Sequence, residues 1–209
     1  MPRAFAEIAF TPNVRAAQAR HGSAAGYEKF LSPEISGGAI LGPDETAFIQ
    51  ARDGFYQATV SESGWPYVQF RGGPKGFLRV LDACTIGYAD YRGNRQYVSL
   101  GNLAGDERIA LILMDYPNRR RIKIWGRVRI AEGAAAADIL PMLHDPAYVG
   151  RPERAILITV EAFDWNCPSH IPQRLTEAEL APYLAALHTQ ISDLTTENAR
   201  LNDLLGAAR

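Results

Sequence analysis

Cysteine and histidine are scarce here, with two and four copies in 209 residues. Cys84 and Cys167 are too few for a disulfide framework and too isolated for a tetrahedral zinc site, so no metal is expected. Cys167-Pro168-Ser169-His170 offers neither a full ligand set nor a basic partner for a reactive thiol, and reads as a structural turn. Charge of one sign is also lacking. A net charge of −1 gives no general attraction to nucleic acid or anionic lipid. No apolar run is long enough to span a membrane; Ile109 to Met114 has the length of a buried strand. The N-terminal stretch has no basic start followed by an apolar core, so a cytoplasmic location without a secretory signal is the expectation.

What is present is ordinary for a globular chain: 47% hydrophobic and 22% charged residues. This length allows one domain that buries roughly 70% of its unfolded surface. Residues 1–43 are rich in Ala, Gly, Pro and Ser, and read as an extended arm with a short helix near Val14 to Arg20. Asp44 is a candidate N-cap for a helix through about Arg52. Alternation then predicts strands at Phe55–Ser61, Pro66–Arg71, Phe77–Leu81, Thr85–Tyr91, Arg108–Asp115, Arg121–Ala131 and Ala155–Trp165. Helices are expected at Gln96–Leu103 and about Ala134–His144. The sum is a mainly β chain, an antiparallel sheet long enough to close into a small barrel.

The C-terminal stretch carries a heptad seam. Leu180, Leu187, Leu194 and Leu201 occupy d, while Leu184, Ile191, Asn198 and Leu205 occupy a. A lone Asn at a favours a parallel two-stranded pair, because its amide is satisfied by its twin. The alternative is an amphipathic helix packed on its own domain.

Two basic corners carry the functional signal. Arg71-Gly72-Gly73 closes one strand, and Arg92-Gly93-Asn94-Arg95 leads from another toward a helix. Glycine-hinged turns beside guanidinium groups present donors to one point, which suits a phosphate.

The segments GWPYVQFRGGP (Gly64 to Pro74), YADYRGNRQYVSLGNL (Tyr88 to Leu103), DYPNRRRIKIWGR (Asp115 to Arg127) and FDWNCPSHIPQR (Phe163 to Arg174) occur in this order. With them the chain resembles the pyridoxamine 5′-phosphate oxidase-like split-barrel flavoproteins over roughly Asp44 to Gln173, and within them the flavin-nucleotide-binding branch. The resemblance implies a six-stranded antiparallel split β-barrel with flanking short helices, assembled as a homodimer with FMN in each of two intersubunit grooves. FAD is the alternative cofactor. The expected divisions are an arm (1–43), an FMN-binding barrel (44–174) and a C-terminal amphipathic or coiled-coil helix (175–209). Gln69, Phe70 and Arg71 match the strand along the flavin, and Tyr88, Ala89 and Asp90 the strand flanking the ribityl chain. Asn94 and Arg95 align with the family's basic phosphate-binding pair. Asn94 departs from that pattern, with Arg92 as a substitute. Ser99 and Asn102 are further polar candidates, and Trp165 and Arg174 match regions that reach the partner's flavin in relatives.

The function implied is an FMN-dependent oxidoreductase acting on a small molecule, with an electron donor such as NAD(P)H. No catalytic residue is identified. Pyridoxamine phosphate oxidase activity itself is not expected, because Ile171 to Arg174 lacks the Arg-x-His element of that enzyme. The alternative is a non-catalytic flavin-binding sensor or interaction module whose tail recruits a partner. Higher assembly through the tail is also open.

Overall fold

The computed structural model describes residues 3–207, which divide into two compact units. One unit runs through Asp115 and resumes from Arg120 to Ser169; the other combines Tyr116–Arg119 with the chain from His170 onward. The N-terminal stretch is helical, with α1 (Ala4–Ala9), α2 (Pro12–Arg20) and α3 (Ala24–Glu28) where an extended arm with one helix was expected. Alanine gives these segments helix propensity, and Thr11 caps α2 by accepting from the Val14 amide. The stretch is tied to the barrel: Phe163 donates its amide to Gly38, and the Phe5 ring lies 4.9 Å from that of Trp125. Helix α4 (Pro43–Gln50) starts two residues earlier than an N-cap at Asp44 would place it. Gly42 is its N-cap, Pro43 takes the first position, and Glu45 accepts from the Gly42 amide at 3.0 Å.

The strands are β1 (Gly54–Val60), β2 (Pro66–Gly72), β3 (Arg79–Asp82), β4 (Thr85–Tyr91), β5 (Arg108–Asp115), β6 (Arg120–Ala131) and β7 (Pro152–Trp165), with helix α5 (Val98–Gly105) between β4 and β5. They form one antiparallel sheet in the order β2-β1-β5-β6-β7-β4-β3. Seven strands stand where the resemblance implied six; β3 is the short edge addition. Between β6 and β7 the Ala134–His144 helix is not continuous. A 3-10 turn at Gly133–Ala136 precedes the single turn α6 (Leu140–Leu143). Pro141 has no N–H to donate, so it sits in a helix's first turn and not in its middle.

The sheet curls. β5, β6 and β7 lie between β1 and β4 in the strand order, which in a flat sheet separates them by roughly 19 Å. Yet the Phe55 and Tyr88 rings are 5.3 Å apart, and Tyr88 donates to Gln57 Oε1 at 2.8 Å. Inward residues of β1, β4, β5, β6 and β7 share a core with Phe48 and Ile49 of α4 and with Phe77. A bulge at Trp125/Gly126 tightens the β6–β7 corner. A Cβ on Gly126 would stand 2.3 Å from the Thr159 carbonyl oxygen, so the bend needs glycine.

In the second unit, α7 (Glu177–Ala207) opens on a capping box. Thr176 Oγ1 accepts from the Glu179 amide, and Glu179 accepts from the Thr176 amide at 2.8 Å. None of the described residues of α7 is buried.

Candidate functional site

Strand alternation builds the first wall of the site. The register sets Phe55 opposite Arg71, Gln57 opposite Gln69 and Thr59 opposite Tyr67. Arg71, Gln69 and Tyr67 therefore continue the inward face of β1 to the rim of the barrel, with Phe70 on the other face against Tyr56 at 5.3 Å. The second wall comes from the far end of the sheet, where β4 and β7 set Asp90 opposite Arg154. The loop 92–97 and the start of α5 close the third side. Together they enclose a cavity of about 250 Å³.

Its charges are organised around Asp90, which is buried. One carboxylate oxygen meets Arg71 Nη1 at 2.9 Å and the other meets Arg154 Nη1 at 2.7 Å. Arg154 also reaches Glu132 at 2.6 Å and Glu153 at 3.3 Å, and its guanidinium lies over the Tyr97 ring. Burial works against that charge. The hydrogen bonds to Glu132 and Asp90 outweigh it, and the Arg154 pKa is raised. The lining holds three guanidinium groups, Arg71, Arg95 and Arg154, against two carboxylates, Asp90 and Glu153, which leaves an excess positive charge.

Donors remain unused. Arg71 Nε is buried with no hydrogen-bond partner among the described residues. Arg95 makes no ion pair among the described residues, and its backbone is held at φ 63°. Tyr97, also left-handed at φ 54°, is the N-cap of α5 and provides no side-chain acceptor. Among the described residues the first-turn amides of α5 thus have no intrahelical or side-chain capping partner, and Val98 and Leu100 line the cavity. Unpaired N–H groups, a helix N-terminus and guanidinium groups at one point suit an anion of phosphate type.

The structure brings Gln69, Arg71, Asp90, Asn94 and Arg95 to this cavity. Asn94 uses its Oδ1 locally, accepting from the Gln96 amide at 3.1 Å. Ser99 and Asn102 are buried behind the wall. Ser99 donates to Gln69 Oε1 at 3.0 Å and Asn102 to Thr59 Oγ1 at 3.0 Å, so they fasten α5 to β2 and β1. Tyr88 belongs to the core, and Ala89 to a smaller cluster beneath α6. Trp165 sits at the other end of β7 from Arg154, where its indole N–H donates to Glu45 at 2.7 Å and its ring packs on Phe48. Arg174 lies in the second unit, its guanidinium 5.0 Å from the Tyr116 ring centroid. Arg92 is not on the lining and faces Glu153 at 3.8 Å.

Arg154, Glu153, Tyr67 and Tyr97 were not singled out in the sequence, yet all line the cavity. A strand read from Ala155 leaves Glu153-Arg154 outside it. The charged pair just ahead of an apolar run was the available signal. Among the described residues no group of three or more His, Cys, Asp or Glu side chains is arranged to hold a metal ion. Nor is any described helix long and apolar enough to cross a membrane.

No curated protein matches the chain. Among solved structures, a single-substitution variant of HupZ from Group A Streptococcus is 18% identical with a TM-score of 0.49, covering 61% of this chain and all (100%) of that one. An FMN-binding protein from Syntrophomonas wolfei is 11% identical with a TM-score of 0.46, covering 58% and 83%. A protein related to general stress protein 26, from Clostridium acetobutylicum, is 14% identical with a TM-score of 0.42, covering 59% and 85%. The family model described as pyridoxamine 5′-phosphate oxidase matches residues 43–163. That span starts at the first residue of α4 and contains every residue lining the cavity. On a match over more than half of its length, the chain belongs to the pyridoxamine 5′-phosphate oxidase family.

Proposed function

We propose that this protein binds FMN and works as an FMN-dependent oxidoreductase on a small molecule, with NADH or NADPH as electron donor. The observation that carries this reading is the arginine-walled cavity with spare donors at Arg71 Nε, Arg95 and the α5 N-terminus. Those groups fit the phosphate of FMN, which carries close to two negative charges. Arg71 and Arg95 would hold it, and Gln69 would face the ligand between them and the barrel. When bound, the isoalloxazine ring supplies the redox chemistry, accepting and returning electrons or a hydride.

The cavity's size supports a shared site. About 250 Å³ falls below the roughly 300–1,000 Å³ of a complete small-molecule pocket, so one chain accommodates only part of the nucleotide. β1 and β2 expose an apolar face through Tyr56, Val60, Val68 and Phe70. We assign that face to a second barrel, which would complete the groove in a homodimer. Family membership does not bring pyridoxamine phosphate oxidation with it: the chain has no Arg-x-His after its last strand.

FMN and riboflavin titrations of the purified protein, followed in the visible spectrum, test the reading. FMN is expected to bind ten- to hundredfold more tightly than riboflavin, from roughly 1.5–3 kcal/mol per hydrogen bond to a charged group. Arg95→Ala is expected to weaken FMN at least about tenfold and leave riboflavin unchanged. A colourless protein that takes up neither overturns the reading. Against turnover stands a second reading, a flavin-binding module without catalysis, favoured by the bare apolar seam of α7. Flavin that neither NADH nor NADPH reduces selects the module.

A further inference from the structure

We infer that α7 pairs in parallel with α7 of a second copy of this chain, in a register set by Asn198. The inference is independent of the cofactor. α7 has 31 residues, about 46 Å of helix, and holds its apolar seam in heptad register from Leu180 to Leu205. Along that helix the seam is exposed: Ile191 is 60% exposed and Leu194 70%.

Three observations select the occupant. First, the a and d positions from Leu180 to Leu205 carry no charge and one polar residue, Asn198. That residue receives a hydrogen bond from Asn202 on its Oδ1 at 3.2 Å, and among the described residues its own amide N–H groups have no acceptor. In a parallel pair each Asn198 amide meets its twin. In an antiparallel pair an a residue faces d leucines and the amide stays unsatisfied. Second, Glu197 is the only charged residue at e or g between Ala181 and Leu204, so parallel pairing brings no like charges together. Third, Thr189, Thr195 and Thr196 donate their hydroxyls back to the helix carbonyls four residues earlier, so they require nothing from a partner. An unrelated partner protein explains neither the lone Asn198 nor the unbroken leucine spacing.

Disulfide trapping in the full-length chain decides it, with Cys84→Ser and Cys167→Ser to remove the native thiols. Under oxidised glutathione, Leu194→Cys is expected to link two copies, and Thr189→Cys on the outward face to do so at least about tenfold more slowly. Leu184→Cys chains mixed with tagged Leu201→Cys chains are expected to join like with like, since an antiparallel pair would set this a position opposite that d. Adding Asn198→Leu to both is expected to let the mixed disulfide appear at comparable yield. No Leu194→Cys dimer, or mixed 184–201 links with Asn198 in place, overturns parallel pairing. Like-only linkage after Asn198→Leu removes Asn198 as the orienting residue.

Discussion

Gln57 stands at the centre of the barrel with its amide half satisfied. Tyr88 donates to Oε1, while Nε2 has no partner among the described residues. Tyr88→Phe removes the one donor and leaves both ends of a buried amide unpaired, so it is expected to destabilise the fold by about 1–3 kcal/mol at neutral pH in denaturant titration. Burial holds the Tyr88 hydroxyl above the ordinary tyrosine pKa, with the nearby Arg71 charge opposing the shift. The unfolded chain therefore gives up this proton first as pH climbs past about 10, and the stabilisation from the neutral hydroxyl drains away above that point. The gap between wild type and Tyr88→Phe is expected to narrow there; a constant gap would exclude the linkage. Residue positions were legible where alternation and a turn coincide, as at Gln69 and Arg71 on the cavity wall. They were illegible where the role depends on a distant strand: nothing near Tyr88 in the chain announces Gln57, and nothing near Asp90 announces Arg154.

Helix α5 has little of its own to hold it: eight residues, two of them glycine, and a start set by a left-handed Tyr97. Its position rests on Ser99 and Asn102 reaching the polar inner face of β2 and β1. Asn102→Ala is expected to lower stability by about 1–3 kcal/mol, because Thr59 keeps its burial and loses its donor. It is also expected to weaken FMN binding, although Asn102 does not touch the cavity. Calorimetric titration beside a denaturation curve reads both, and an unchanged affinity would show that α5 needs no such anchor. Elements with a clear two-residue period were recovered from the sequence nearly to their ends, β4 and β5 within a residue. The alanine-rich stretches were not, because alanine marks no face. Hence the N-terminal helices were largely missed, and α6 was overextended through Pro141.

At the scale of the whole molecule, each of the two units carries an exposed apolar face. One is the β1–β2 surface around Val68, and the other is the seam of α7. Val68→Asp places a charge in the face assigned to the second barrel. It is expected to cut FMN affinity at least about tenfold while Leu194→Cys still links the tails. Loss of both together, in flavin titration and trapping on the same sample, would merge the two contacts into one. The curled sheet itself was foreseen from seven alternating segments with short turns. What no pattern in the chain specifies is where the cylinder fails to close. There, Asp90 grips Arg71 from the opposite lip, so the guanidinium proposed to hold the ligand also acts as a clasp across the slit. Any anion that draws Arg71 toward itself must loosen or reset that clasp, and occupancy of the niche becomes inseparable from how tightly the cylinder is shut.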